Sequence, residues 1–505
     1  MFPVSGLPNG VVLNGTNDSG RVVSIPVTAE GHVEVAIHSP RLPFGEINVE
    51  SLNPVFQTDA VYGVNSSEVV TSTDGTAGTA TAASNLFSVG TGGTVAGYFG
   101  SIQSRKRLRY RPGQGVVSRF TMLFTQGIAN NIQVVGVGTG ESTFAFGFNG
   151  TAFGILHSTG GVRKIETVTI SGTVAAGTAA VTLNSATAAQ QGKTVVFLSN
   201  SVGVKTGTYS ITGIGSPGTA WSEVLAGVVA TDTWVAQSSW NGDVCNGSGS
   251  ESNPSGFLLD PTKGNVGQIN IQYLGFGAVT LQIEAVGSGN NPDFVNVHTF
   301  VFPNSQVTTS VSQPSFPFLM SAYNTGAASG AVTTKCGSFA GFIAGERRFT
   351  GPRMSYFSTA GVTSSTSAYT PLYTIRNGLV FAASGTVRAN QATVHLLSVS
   401  GATKGNANSI TTFYLIKNAT LSAGNPVFTQ WDTTSCTYVD SAATAVTFAT
   451  NRQVVWSVTV TQDGEFIFSF TDDITLQPGE TITLAVRSVA ATSTCVGQLN
   501  TREDQ

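Results

Sequence analysis

Charge is what this sequence has least of. Only 10% of its 505 residues are Asp, Glu, Lys or Arg, against about a quarter in an ordinary soluble domain. The few charges nearly cancel, at a net of −3, so no global field draws the chain to nucleic acid or to an anionic membrane. Scarce charge beside 41% hydrophobic residues excludes a disordered chain, which combines low hydrophobicity with high charge. Long apolar runs are missing too. None approaches the ~20 residues of a membrane span, so membrane insertion is not expected. The opening MFPVSGLPNG lacks the basic start and apolar stretch of a secretory signal. Cysteine is limited to Cys245, Cys336, Cys436 and Cys495, dispersed and without a CxxC pair. Buried free thiols are expected, with a Cys436–Cys495 disulfide as the alternative. A surface this poor in charge is poorly soluble as a free monomer, which points to an oligomer or an assembled particle.

Helical periodicity is nearly absent as well. What recurs is alternation with period two, punctuated by Gly, Asn, Asp and Ser, and that pattern encodes half-buried strands. Asn265-Val-Gly-Gln-Ile-Asn-Ile-Gln-Tyr is one example and Gly464-Glu-Phe-Ile-Phe-Ser-Phe another. In the second, Phe466, Phe468 and Phe470 share one face while Glu465, Ile467 and Ser469 share the other. Thr481-Ile-Thr-Leu-Ala-Val follows Leu476-Gln-Pro-Gly-Glu, whose Pro478-Gly479 suits the two central positions of a type II turn. Many short strands with frequent turns predict an all-β chain of several antiparallel β-sandwich, jelly-roll-like domains in series. We divide it into an N-terminal docking arm (1–50), a central β-sandwich region (51–350), a compact run of strands (166–240) and a C-terminal β-sandwich (351–505). No repeat of 20 to 50 residues and no heptad pattern are present.

The most conspicuous local feature is basic. Arg105, Lys106, Arg107, Arg109, Arg111 and Arg119 gather six of the 24 basic residues within fifteen positions. Read as a strand, Arg105, Arg107, Arg109 and Arg111 share a face, with Lys106, Leu108 and Tyr110 opposite. Neighbours on that face stand ~7 Å apart and repel unless something anionic lies opposite. The stripe is therefore a candidate dock for a carboxylate-rich partner, DNA or an acidic glycan; the alternatives are a charged strand edge or internal pairing with Asp and Glu. No aromatic ladder accompanies it, which disfavours single-stranded nucleic acid.

Other motifs carry less. Gln191-Gly192-Lys193-Thr194 lacks the leading Gly of a phosphate loop, since Thr187 stands there, and runs into a strand where a helix N-terminus is needed. Gly136, Gly138 and Gly140 mark a turn, with no βαβ unit around them. His32, Glu34 and His38 could collect a metal only at an oligomer axis. Asp472, Asp473 and Glu480 lack an ordered loop of oxygen ligands for Ca²⁺. Asp260, Glu284, Asp293 and Glu346 show no pairing of the kind a glycosidase needs, and no GxSxG is present. Neither metal, cofactor nor catalytic residues are expected, and the chain reads as a non-enzyme. Trp431 and Tyr438 are candidate surface-recognition aromatics, with core packing as the alternative.

Several segments resemble a group of viral structural proteins, the tail-fibre-like and minor structural proteins of phages and large aquatic viruses. They are Asn53-Pro-Val-Phe-Gln-Thr-Asp-Ala-Val-Tyr-Gly, Lys106-Arg-Leu-Arg-Tyr-Arg-Pro-Gly-Gln-Gly, Phe146-Gly-Phe-Asn-Gly-Thr-Ala-Phe-Gly-Ile, Asp260-Pro-Thr-Lys-Gly-Asn-Val-Gly-Gln-Ile, Tyr273-Leu-Gly-Phe-Gly-Ala, Gln313-Pro-Ser-Phe-Pro-Phe, Leu476-Gln-Pro-Gly-Glu-Thr-Ile-Thr-Leu-Ala and Arg502-Glu-Asp-Gln. The resemblance covers most of residues 50–505 and offers no catalytic residues to carry over. It implies that residues 166–240 form a small β-domain inserted in a larger sandwich, with strands of 97–157 pairing with strands of 265–302 across it. It also implies location in a virion. The expected function is that of a structural protein in a tail fibre, spike or similar appendage. Such a chain would be homo-oligomeric, with a trimer favoured, and would contact other virion proteins and a host surface glycan or protein. A capsid decoration or vertex-fibre protein is one alternative. A glycan-degrading tailspike enzyme is another, for which a long parallel β-helix with an acidic cleft would be the mark.

Overall fold

A computed structural model of the chain describes residues 52–159, 231–286, 292–345 and 351–504, apart from short interruptions at 75, 139–141, 312–313, 359, 379, 384–385, 406–407, 423–427 and 472–473. Within 1–51 and 160–230 it describes isolated strands alone. Most of the 1–50 arm, with His32, Glu34 and His38, lies outside the described residues, as do Gln191 to Lys193, Gly140, Glu346, Asp472 and Asp473. Among the described residues all extended elements are strands, and helical turns are limited to Gln237–Ser239 and Asn451–Gln453. The chain is all-β, built of antiparallel sandwiches. Among the described strands the ladders are antiparallel except where Ala180–Leu183 runs parallel to Gly207–Ile214.

Two large apolar cores organise the described chain, with smaller clusters beside them around Leu421 and Phe428 and around Val134 and Leu156. The first lies between two sheets built from Leu52 to Ala344. One sheet has the order Thr231–Ala236, Ala152–Thr159, Ser142–Asn149, Asn131–Gly138, Phe318–Asn324, Phe99–Ser104, Val69–Thr73. In the other, Val116–Phe124 pairs with Asn265–Ile271 on one side and with Thr333–Cys336 and Ser338–Ala344 on the other. Alternation explains the packing: Phe120 and Phe339 point inward from this sheet to meet Phe146 and Phe318 from the first. Phe318 and Phe339 stack with ring centroids 3.8 Å apart. Left-handed residues serve the turns, Gly150 (φ +61°) in the hairpin between Ser142–Asn149 and Ala152–Thr159, and Asn130 (φ +58°) where the chain crosses from one sheet to the other.

Ala152–Thr159 and Thr231–Ala236 are neighbours in the first sheet, with Thr159 opposite Thr231. The chain between them carries its own five-stranded sheet, from Thr167–Ser171 to Ala220–Val224. That segment interrupts the larger sandwich and is shorter than the expected 166–240, because Thr231–Ala236 belongs to the larger sheet; the Val116–Phe124 and Asn265–Ile271 strands pair across it.

The second core lies between two sheets built from Arg353 to Asp504. The first has the order Arg353–Phe357, Ser493–Asp504, Thr393–Gly405, Glu465–Ser469. The second has the order Thr429–Gln430, Thr437–Asp440, Thr370–Asn377, Thr481–Ser488, Ile410–Lys417, Val454–Thr461. Gly479 takes φ +89° and the Glu480 N–H donates to the Gln477 carbonyl at 2.9 Å, the hydrogen bond of the predicted type II turn. All four cysteines are buried free thiols. Burial pushes Cys336 up to about 12 and Cys495 up to about 11.

Candidate functional site

The basic run is not one strand. It turns at Arg105 and Lys106 and regains a two-residue strand at Leu108–Arg109, paired with Ser315–Phe316. Alternation still sorts its side chains, with Leu108 and Tyr110 buried in the central core and the arginines on the other side. The carboxylates opposite belong to the same chain. Arg105 pairs with Glu480 at 2.8 Å and also donates from Nε to the Ser66 carbonyl at 2.5 Å. Glu480 in turn accepts from Lys417 Nζ at 2.9 Å and from the Gln477 N–H at 2.9 Å. Arg111 pairs with the Asp504 carboxylate, and Arg109 donates to the Asp504 carbonyl. Burial lowers the Arg109 pKa, against the opposing pull of Asp504. Arg107 is half-buried on the same side. Thus Arg105, Arg109 and Arg111 are engaged between the two sandwiches and do not present a free dock. Internal pairing is the reading the structure supports.

The outer face of the C-terminal sheet offers a different kind of site. Strand register places Phe357, Gln498, Ser400 and Ile467 in one row across four strands. Beside it run a row of Ser355, Asn500, Ser398 and Ser469, and on the other flank Val496, Ala402 and Glu465. Strands ~4.8 Å apart make each four-stranded row ~14 Å wide. Phe357, Ile467 and Val496 stand 54%, 81% and 41% exposed. Neutral hydrogen-bonding groups floor the space between. Gln498 donates to Ser355 Oγ at 2.7 Å and to Asn500 Oδ1 at 3.2 Å, and Asn500 donates to Ser398 Oγ at 2.8 Å. The central row and the Val496 flank, with Ser358, line a groove of about 720 Å³, and the Ser355–Asn500 row borders it.

The floor of the groove holds glycine for a steric reason. Gly401 and Gly497 face each other on its two central strands. A Cβ on Gly497 would lie 2.5 Å from Leu484 Cδ2, and one on Gly401 would lie 2.7 Å from Phe466 Cε1. Core side chains fill the places where these Cβ atoms would be, Leu484 from the facing sheet and Phe466 from the neighbouring strand, so glycine is required at both positions.

Trp431 flanks one end. It is 41% exposed, packs on Tyr356 at 4.9 Å and meets Phe357 edge-on at 6.4 Å. Tyr438 is not on this surface: it is half-buried, with the Arg376 guanidinium 5.2 Å above its ring, and burial raises its pKa. It packs against the apolar cluster of Ile416, Leu421, Phe428 and Val446 on the other side of its sheet's strands. Phe357 and Gln498 were not singled out from the sequence. The one local signal was the alternation that set Ile467 opposite Phe466 and Phe468. Among the described residues, no three His, Cys, Asp or Glu side chains gather as a metal site.

No family model matches the chain, and no curated protein matches it. Among solved structures it is similar to an engineered GH43 glycoside hydrolase displaying endo-xylanase and exo-arabinofuranosidase activity, at 10% identity and TM-score 0.26, covering 66% of this chain and 50% of that one. It thus spans about half the length of that hydrolase. It is also similar to the Lotus tetragonolobus seed lectin, at 7% identity and TM-score 0.24, covering 56% of this chain and 96% of the lectin. The binding domain of botulinum neurotoxin serotype D/C gives 8% identity and TM-score 0.24, covering 84% of this chain and 93% of that one.

Proposed function

We propose that the chain is a non-enzymatic structural protein of a virion appendage, a tail fibre, spike or similar, and that its C-terminal sandwich is the part that contacts a host surface. The observation that carries this reading is the open outer face of the C-terminal sheet. There, exposed Phe357, Ile467 and Val496 surround a neutral hydroxyl and amide floor, the mixture of apolar rim and placed polar groups that a binding surface needs. Ion pairs between Arg105 and Glu480 and between Arg111 and Asp504 join that sandwich to the central one, as suits a part that must hold its binding face at a set angle. The low charge supports assembly into an oligomer, with a trimer favoured.

Light scattering on the purified chain at about 50 mM and about 500 mM salt tests the assembly, since exposed charge pairs are screened over that range. A trimer of unchanged mass at both salts is the expected result. A monomer, or an oligomer that falls apart as salt rises, would remove the self-standing appendage.

A further inference from the structure

We infer that the groove on the outer face of the C-terminal sheet binds a short, uncharged oligosaccharide laid across its four strands. This deepens the proposal that the same face contacts a host surface, and rests on it.

Three observations select that ligand class. First, the floor is made of neutral groups that both donate and accept. Ser358, Ser400 and Gln498 line it, and Ser355, Ser398 and Asn500 continue the same face on adjacent strands. Sugar hydroxyls also donate and accept, and match such a floor group by group. Extended peptide is a poorer match, because it would be held by main-chain pairing at a sheet edge, and this is a sheet face.

Second, Phe357 stands more than half exposed at one end of the central row, backed edge-on by Trp431 at 6.4 Å. A ring fixed in that way presents an apolar plane to the C–H face of a sugar at little entropic cost. Ile467 closes the other end of the row.

Third, the one charge lining the groove is negative. Glu465 stands at a corner beside Ile467 and Ala402, so a carboxylate or sulfate on the sugar would meet repulsion there. Charge complementarity therefore favours neutral hexose chains over sialylated or uronic ones.

The floor at Gly401 and Gly497 is backbone fixed by strand pairing, so the site is formed before any ligand arrives and little of the binding energy is spent on rearrangement.

The test uses the full chain on an array of neutral gluco-, galacto- and manno-oligosaccharides beside sialylated and uronic ones, followed by titration calorimetry with the best neutral binder. Phe357→Ala should weaken that binding about tenfold, since about 1.4 kcal/mol is one decade. Gln498→Ala should weaken it about three- to tenfold, the range expected for one net hydrogen bond. Both side chains face outward, and matching melting curves would show that the variants are folded. Capture of acidic glycans alone, capture of none, or unchanged affinity in both variants would overturn the inference. A chain that binds neutral glycan through this face yet is monomeric in light scattering would sink the appendage and leave the groove assignment standing.

Discussion

His157 and His298 are buried in an aromatic nest. His157 stacks on Phe144 at 4.7 Å, lies 5.1 Å from Phe300 and 5.3 Å from Phe302, and donates from Nε2 to the Ser310 carbonyl at 3.2 Å. His298 sits edge-on to Phe300 at 4.6 Å, its Nδ1 accepting from the Asn241 N–H at 3.3 Å. Burial holds the pKa of both below the ordinary histidine value. An unfolded chain therefore takes up these protons first as pH falls. Stability should be full above pH ~6.5, the unperturbed value, and should decline as pH drops below it. Melting curves between about pH 7.5 and about pH 5 check this. His157→Phe should shrink the acid loss, and a melting temperature flat over that range would refute the account. None of these partners is near His157 in the sequence, where the residue looks like an isolated polar group on a strand. The stacking on Phe144 depends on hairpin register, which a single strand cannot reveal.

At the scale of elements, the period-two pattern was legible because each core faces only one side of each strand. It set Phe466 and Phe468 together and Ile467 opposite, as found. It did not show that Glu465–Ser469 ends a sheet, which leaves Phe468 partly open although it points toward the core. The arginine run misled in a related way: its alternation is real, but the strand behind it is two residues long. Glycine was legible only as a turn former. The Gly401–Gly497 pair lies in strand interiors, where the reason for glycine is the layer underneath. Gly497→Ala should cost about 1–3 kcal/mol, as overpacking of a filled core does, read as a lower urea midpoint with an unchanged slope. A loss below about 0.5 kcal/mol, the level of an ordinary surface substitution, would mean that the two sheets separate freely.

For the whole molecule, the joint between the sandwiches matters most. Arg105 is 375 residues from Glu480, and Arg111 is 393 from Asp504. The sequence displayed the cations as a conspicuous cluster and scattered their partners among ordinary strand ends. That asymmetry is why an external dock and internal pairing looked alike. The arginines keep about a fifth of their surface in water while the carboxylates are almost enclosed. Removing both cations leaves Glu480 with Lys417 alone and Asp504 without Arg111, at a cost of about 1–3 kcal/mol after allowance for solvent screening. The Arg105→Ala/Arg111→Ala protein should show a larger radius of gyration in small-angle scattering and should unfold in two steps. An unchanged radius would show that apolar contact alone aligns the halves.

The root of the insertion has a consequence for how such a chain can change over generations. Thr159 and Thr231 are cross-strand partners, so the chain leaves the sheet and re-enters it one ladder step away, the spacing that an ordinary two-residue hairpin turn would bridge. The surrounding sandwich registers only that its two strands are joined, not by what. Any module whose ends lie side by side fits that socket, and recombination can exchange one for another there without a compensating change in the Phe-rich core. Novelty at this position is thereby uncoupled from the machinery that keeps the rest of the molecule folded.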